Sequence, residues 1–258
     1  MRNIVLIVFG FVLYYLGFKN FEAIMLFIDK SIHYRLVSYF LTYIILGIPL
    51  FSVTCLINKD FNFIRHLGLH SGILKGIGIA VIFVLPMFIG SAIQYKLAKN
   101  ISVPNMLTKT LFAGLFEELY FRGYFFGQLF KKSKLGFLMS ILLCSIIFAS
   151  GHLYQSQDPL VLLGIFMTTF MGSVLFAWLY VEWNYNLWIP IFLHSLMNLS
   201  WYLFEVSDNA LGSFNSNLFR GMTIALSIIL TLYYKKRMGE KVIINKSTLL
   251  MKKNYQNN

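Results

Sequence analysis

The sequence predicts an all-α fold, a polytopic transmembrane bundle of about eight helices. Three observations predict it. Hydrophobic residues make up 58% of the 258 positions and charged residues only 12%, with a mean hydropathy of +0.69. Soluble domains carry about 25% charged residues, and a soluble chain this poor in charge could not cover its own surface. The apolar residues also gather in runs close to the roughly 20 residues that a membrane-crossing helix needs. Those runs fill most of the chain and leave no room for a soluble domain of useful size.

The candidate spans are 3–18, 37–57, 72–95, 106–130, 135–153, 159–181, 187–204 and 218–234. Arg2 before the first run resembles a secretory signal. No A-x-A-like cleavage site follows Gly17, and Lys19 and Asn20 close the run, so it reads as a retained helix. In FEAIMLFIDKS, residues 21–31, Glu22, Asp29 and Lys30 flank an apolar middle, the pattern of a short interfacial helix. Three parts then differ in character. Residues 1–104 hold three plain spans. Residues 105–204 hold four spans that carry all the polar intramembrane side chains. Residues 205–258 hold a last plain span and a basic tail.

The net charge of +12 invites a nucleic-acid reading, but its distribution argues against one. With alternating helices, the side bearing the N-terminus holds thirteen Lys and Arg and the other side seven, which predicts a multi-pass cell-membrane protein with both termini cytoplasmic. Seven of the thirteen lie in the tail, from Lys235 to Lys253, and are expected to touch anionic lipid headgroups. Cys55 and Cys144 lie in apolar runs and read as small buried hydrophobes rather than a disulfide or a metal pair.

The chemistry is concentrated in FEELYFRGY, residues 116–124. A charge at the bilayer centre costs about 2.5–3.5 kcal/mol on insertion scales, so such groups face the bundle interior and pair. On an α-helix, Glu118 and Arg122 share a face at i and i+4. Glu117 lies five residues from Arg122, about 140° around at about 100° per residue, and must find a partner on another helix. An acid without a local counter-ion suits a general base. FASGH places His152 near the end of its span, and HSLMN places His194 and Asn198 on one face, with Pro190 positioned to kink their helix. Each has a plain structural alternative: an ion pair that fixes packing, an interfacial histidine, an interhelical hydrogen-bond pair. Together, two carboxylates, an arginine, two histidines and an amide on three helices can activate a water and stabilise an oxyanion at a carbonyl, directly or through a metal. There is no H-E-x-x-H, no G-x-S-x-G, and Ser195 points about 100° away from His194.

EELYFR, FASGH and HSLMN, read in order as E-E-x-x-x-R, F-x-x-x-H and H-x-x-x-N, resemble the CPBP family of intramembrane proteases, also called Abi. That family contains the type II CAAX prenyl endopeptidases and bacterial relatives linked to bacteriocin self-immunity. The resemblance covers about residues 105–200. It implies an endopeptidase in which Glu117 activates water with help from His152, His194 and Asn198 stabilise the oxyanion, and Glu118 and Arg122 orient the glutamate. It leaves metal dependence open. A zinc-like divalent metal would take Glu117, His152 and His194, and the alternative is metal-free water activation. The implied substrate is a peptide or membrane protein, in bacteriocin immunity or peptide processing. The alternatives are a non-catalytic immunity or scaffold protein on the same bundle, or a proton-coupled transporter, which would call for an inverted repeat that the sequence lacks.

Overall fold

A computed structural model of the protein describes residues 1–252. The expected Lys253 of the basic tail lies outside the described residues. The architecture is all-α. Among the described residues there is no β-strand, and extended pairing is limited to a bridge between Leu135 and Met251. The helices are α1 (Arg2–Phe18), α2 (Phe21–Ile32), α3 (Arg35–Asn58), α4 (Phe63–Leu67), α5 (Ile73–Gln94), α6 (103–132), α7 (Phe137–Ser150), α8 (Pro159–Glu182), α9 (Trp188–Leu203) and α10 (Phe214–Arg237).

Five of the described helical stretches are long and apolar enough to cross a membrane: α3, α5, α7 with its continuation to Gln155, α8 and α10. The α1–α2 pair, bent by 67°, makes a sixth if it is one broken span. This is fewer than the eight spans expected. α6 falls out of the count because it carries six charged side chains, three of them within residues 117–122, and changes helical type along its length. α9 falls out because its 16 residues rise only about 24 Å at 1.5 Å each, against a hydrocarbon core of about 30 Å.

α6 is the hub. Every residue from Glu118 to Phe130 is buried, so this stretch faces protein on all sides rather than lipid or water. Its middle touches α1, α3, α4, α7, α8 and α9. Rings dominate the contact: Phe11 stacks on Phe125 at 4.0 Å, and Tyr43 on Phe116 at 4.3 Å. Two tyrosines four residues apart then fix its rotation, since Tyr120 donates to the Tyr43 carbonyl at 2.6 Å and Tyr124 to the Ile7 carbonyl at 3.0 Å. A second apolar cluster joins α5, α8 and α9 through Phe83, Met87, Phe176, Leu179 and Leu193.

Local chemistry sets the helix boundaries. Asp158 caps α8 by accepting from the N–H groups of Leu160 and Val161, with Pro159 in the first turn where its missing N–H costs nothing. Pro190 behaves in the same way. It is the third residue of α9, so it starts that helix rather than kinking it as the sequence suggested. Cys55 and Cys144 are free thiols.

The tail is anchored. Glu182, fully buried at the end of α8, accepts from the N–H groups of Ile243 at 3.0 Å and Ile244 at 2.8 Å, and pairs with buried Lys235 at 3.2 Å. Beyond this anchor the carbonyls of Thr248, Leu249 and Leu250 accept from Phe137, Leu138 and Gly136, covering N–H groups that the first turn of α7 cannot satisfy itself. At this same end Asn3 donates to the Lys132 carbonyl at 3.1 Å and Leu187 N–H to that of Gly68 at 3.1 Å, which joins the N-terminus to the end of α6 and the α4–α5 turn to the α8–α9 turn. Replacing Glu182 with Ala leaves Lys235 buried without its main partner. The expected loss is about 3–5 kcal/mol in stability, read as a lower thermal midpoint in detergent, with amide protection lost first across residues 239–252 in hydrogen exchange.

Candidate active site

The site forms where α6 meets α7, α8 and α9. α6 is a segmented helix. Thr108–Phe112 and Glu118–Phe126 are π-helical, with α-helical pieces before, between and after them. In the second π stretch the hydrogen bonds reach five residues back, as from Gly127 N–H to the Arg122 carbonyl. A nine-residue π stretch is far longer than the usual single-turn bulge, and such bulges concentrate at functional sites. Glu117 ends the α-helical piece and Glu118 begins the π stretch, so the two acids sit at a change of helical pitch.

Glu118 and Arg122 are both 0% exposed, with Arg122 Nη1 3.2 Å from Glu118 Oε1. The guanidinium nitrogens make no aligned hydrogen bond, so the pair is a close charge contact rather than a two-pronged fork. Aromatic faces complete the surroundings of the cation: Arg122 Cζ lies 4.2 Å from the Phe148 ring and 5.6 Å from the Phe176 ring. Glu118 Oε1 also takes His194 Nδ1 at 2.7 Å, and the His194 ring stacks on Phe176 at 5.3 Å. One carboxylate thus joins α6 to α9, and one phenylalanine of α8 backs both the arginine and the histidine.

The other nitrogen of His194, Nε2, faces Glu117 Oε2 at 3.9 Å. The Glu117 side chain is 28% exposed, yet Oε2 itself is buried and has no hydrogen-bond partner. His152 packs against Phe148. Its ring is 4.7 Å from that phenylalanine and its Nδ1 bonds the Phe148 carbonyl at 2.8 Å. Asn198 Nδ2 donates to the Lys109 carbonyl at 3.3 Å, in the first π stretch of α6. His194 and Asn198 therefore both face α6, as their shared helical face predicted. Glu117, Glu118, Arg122 and His194 form one contact network, which reaches His152 through the ring of Phe148. Glu117, His152 and His194 do not gather as a ligand set, and among the described residues no three His, Cys, Asp or Glu side chains stand as a metal would need them.

Two contributors carry no charge and escaped notice in the sequence. Phe148 was visible only as the first letter of FASGH, and Phe176 had no signal at all. Gly114 is the third surprise. A Cβ there would fall 2.2 Å from Ser195 Oγ and 2.8 Å from Ser195 N, so the missing side chain lets α9 close on α6 one turn before the acids. Ser195 is thus a buried contact residue of that crossing.

Fold and site together define a helical membrane protein with a carboxylate–imidazole centre buried around one segmented helix. Residues 99–200, which contain every side chain of this centre, match a family model described as type II CAAX prenyl endopeptidase Rce1-like. The chain is also 34% identical over 98 residues to "Putative membrane peptidase YdiL" of Bacillus subtilis (strain 168). That similarity spans 38% of this chain and 36% of the relative. No solved structure matches the chain.

Two outcomes test the network. Gly114→Val should separate α6 from α9 and lower the thermal midpoint. Arg122→Ala, which strands Glu118 as a buried unpaired charge, should cost about 3–5 kcal/mol, whereas Arg122→Met, measured by the same unfolding assay, should recover part of the lost packing but not the charge contact.

Proposed function

We propose that the chain is an intramembrane endopeptidase that hydrolyses a peptide bond with a water held between Glu117 and His194. The observation that carries this reading is the orphaned oxygen. Glu117 Oε2 is buried, unbonded and 3.9 Å from His194 Nε2, too far for a direct hydrogen bond and close enough for one water to touch both. The similarity of residues 99–200 to the type II CAAX prenyl endopeptidase Rce1-like model supports the same reaction class.

In this mechanism Glu117 takes a proton from the water as its oxygen attacks the carbonyl carbon of the peptide. The new C–O bond converts the carbonyl to a tetrahedral oxyanion, the C–N bond then breaks, and Glu117 returns the proton to the departing amine. Glu118 holds Nδ1–H of His194, which leaves Nε2 with its lone pair toward the water. Arg122 Nη1, 3.2 Å from the same oxygen, holds that carboxylate in place. His152, whose Nδ1 is committed to the Phe148 carbonyl, has Nε2 for the oxyanion, and Asn198 supplies an amide one turn beyond His194. No step runs through a metal, because Glu117, His152 and His194 do not converge as ligands. The substrate on this reading is a peptide or a membrane protein, with bacteriocin self-immunity or peptide processing as the setting and both termini on the cytoplasmic side.

Detergent-purified protein should cleave a fluorogenic peptide. Glu117→Gln, isosteric and expected to keep the thermal midpoint, should lower the rate by about 10²–10⁴-fold, the range for removing a general base. The assay run with and without chelator separates the two water-activation schemes; a Glu117→Gln protein that cleaves at the wild-type rate removes Glu117 as the base, and wild-type protein that cleaves no peptide leaves the non-catalytic scaffold reading in place of this one.

A further inference from the structure

A second polar recess lies away from the acids, at the end of the bundle that carries the N-terminus and the tail. Its volume is about 440 Å³, and its walls include Arg65, His66, His70, Lys131, Lys132 and Asn58. No carboxylate lines it. Asp60 is the acid in contact with one of its walls, and it is engaged with His66 at 3.1 Å. Among the described residues Arg65, Lys131 and Lys132 make no ion pair with an acid.

The recess is built to hold its charge in place. Lys131 Nζ donates to the His66 carbonyl and, at 3.2 Å, to the Tyr180 hydroxyl, and it lies 5.1 Å from the Tyr185 ring. The rim beside it is the turn between α8 and α9. There Asn184 and Tyr185 take φ values of 54° and 59°, a left-handed conformation that a bulky tyrosine rarely adopts. Tyr185 N–H to the Tyr180 carbonyl at 2.8 Å holds this strained turn. Among the lining residues Asn58 Oδ1 is buried with no partner, an acceptor that calls for a donor. Like charges brought together in a recess of low dielectric repel one another unless an anion joins them.

We infer that this recess binds a phosphate group: Arg65 and Lys132 reach its oxygens from the rim, Lys131 sits behind them, and a hydroxyl on the ligand or on a protonated phosphate donates to Asn58. Arg and Lys are the side chains that recognise phosphate, the first by its planar fork and the second as a point charge. Two sources supply that chemistry, the headgroup of an anionic lipid such as phosphatidylglycerol and free inorganic phosphate. The site is separate from Glu117 and its binding does not depend on peptide hydrolysis. The competing role for the same cations is neutralisation of the C-terminal ends of α3, α4 and α6, which terminate here.

The test uses the full chain in an uncharged detergent. Inorganic phosphate is titrated by calorimetry, and native mass spectrometry scores lipid retained after exchange into vesicles of phosphatidylcholine with and without phosphatidylglycerol. Wild-type protein should bind at least one probe: phosphate in the titration assigns a soluble ligand, and retained phosphatidylglycerol alone assigns the headgroup. The Arg65→Gln/Lys132→Gln variant, altered only at the rim, should weaken that binding roughly tenfold or more. His70→Gln gives a milder second variant, and Lys96→Gln/Lys99→Gln, at the opposite end, should bind as wild type does. Binding of neither probe, or equal weakening by the opposite-end control, overturns the site and leaves helix-end neutralisation as the role of these residues.

Discussion

Glu118 and Arg122 sit one helical turn apart, on a helix with protein on every side. Neither could survive there alone. An ionised carboxylate or guanidinium taken out of water without its partner carries a penalty of several kcal/mol, which the partner's attraction and the faces of Phe148 and Phe176 must offset. Much of the central architecture follows from meeting that requirement. α7 supplies one ring, α8 the other, and α9 brings His194 to the same carboxylate oxygen that Arg122 contacts. The group that makes the bundle expensive is also the one that ties four of its helices to a single point.

The N-terminal helices serve this arrangement without entering it. α1 and α3 give carbonyls to Tyr124 and Tyr120, and rings to Phe125 and Phe116. These contacts lie on the side of α6 away from α9, where they set the angle at which α6 presents its acids. The π-helical stretch matters to the same angle. With bonds reaching five residues back, each turn holds more residues, so Arg122 lies closer in angle to its fifth neighbour Glu117 than an α-helix would place it. Residues 1–104 are therefore better understood as the mould for the centre than as a separate module.

The charged part of the site was legible in the sequence because charge in an apolar run is conspicuous. Glu117, Glu118, Arg122 and His194 come together, and the prediction that Glu118 would take Arg122 while Glu117 looked elsewhere agrees with the distances. Nothing in ELYFRGYFF announces a π-helix, however, and 3.6 residues per turn is the pitch that a sequence suggests. The approach of His194 to both acids, 2.7 Å from Glu118 and 3.9 Å from Glu117, has no mark in the sequence either. Gly114, Phe148 and Phe176 were hidden for another reason: a glycine or a phenylalanine in a membrane helix is ordinary until a neighbour gives it a role. The count of spans suffered from the same blindness, since composition cannot show that a polar helix such as α6 is sheltered by the others.

The stitching of the tail onto α7 has a consequence for the order in which the molecule can be completed. The N–H groups at the start of α7 belong to residues made about midway through synthesis, and the carbonyls that satisfy three of them belong to residues 248–250. α7 must therefore enter the membrane with its first turn unfinished, relying on water at the interface until more than a hundred further residues have been added. The bundle around the acids can assemble before then. Its end seals only when residues 248–250 fold back over a helix inserted long before them.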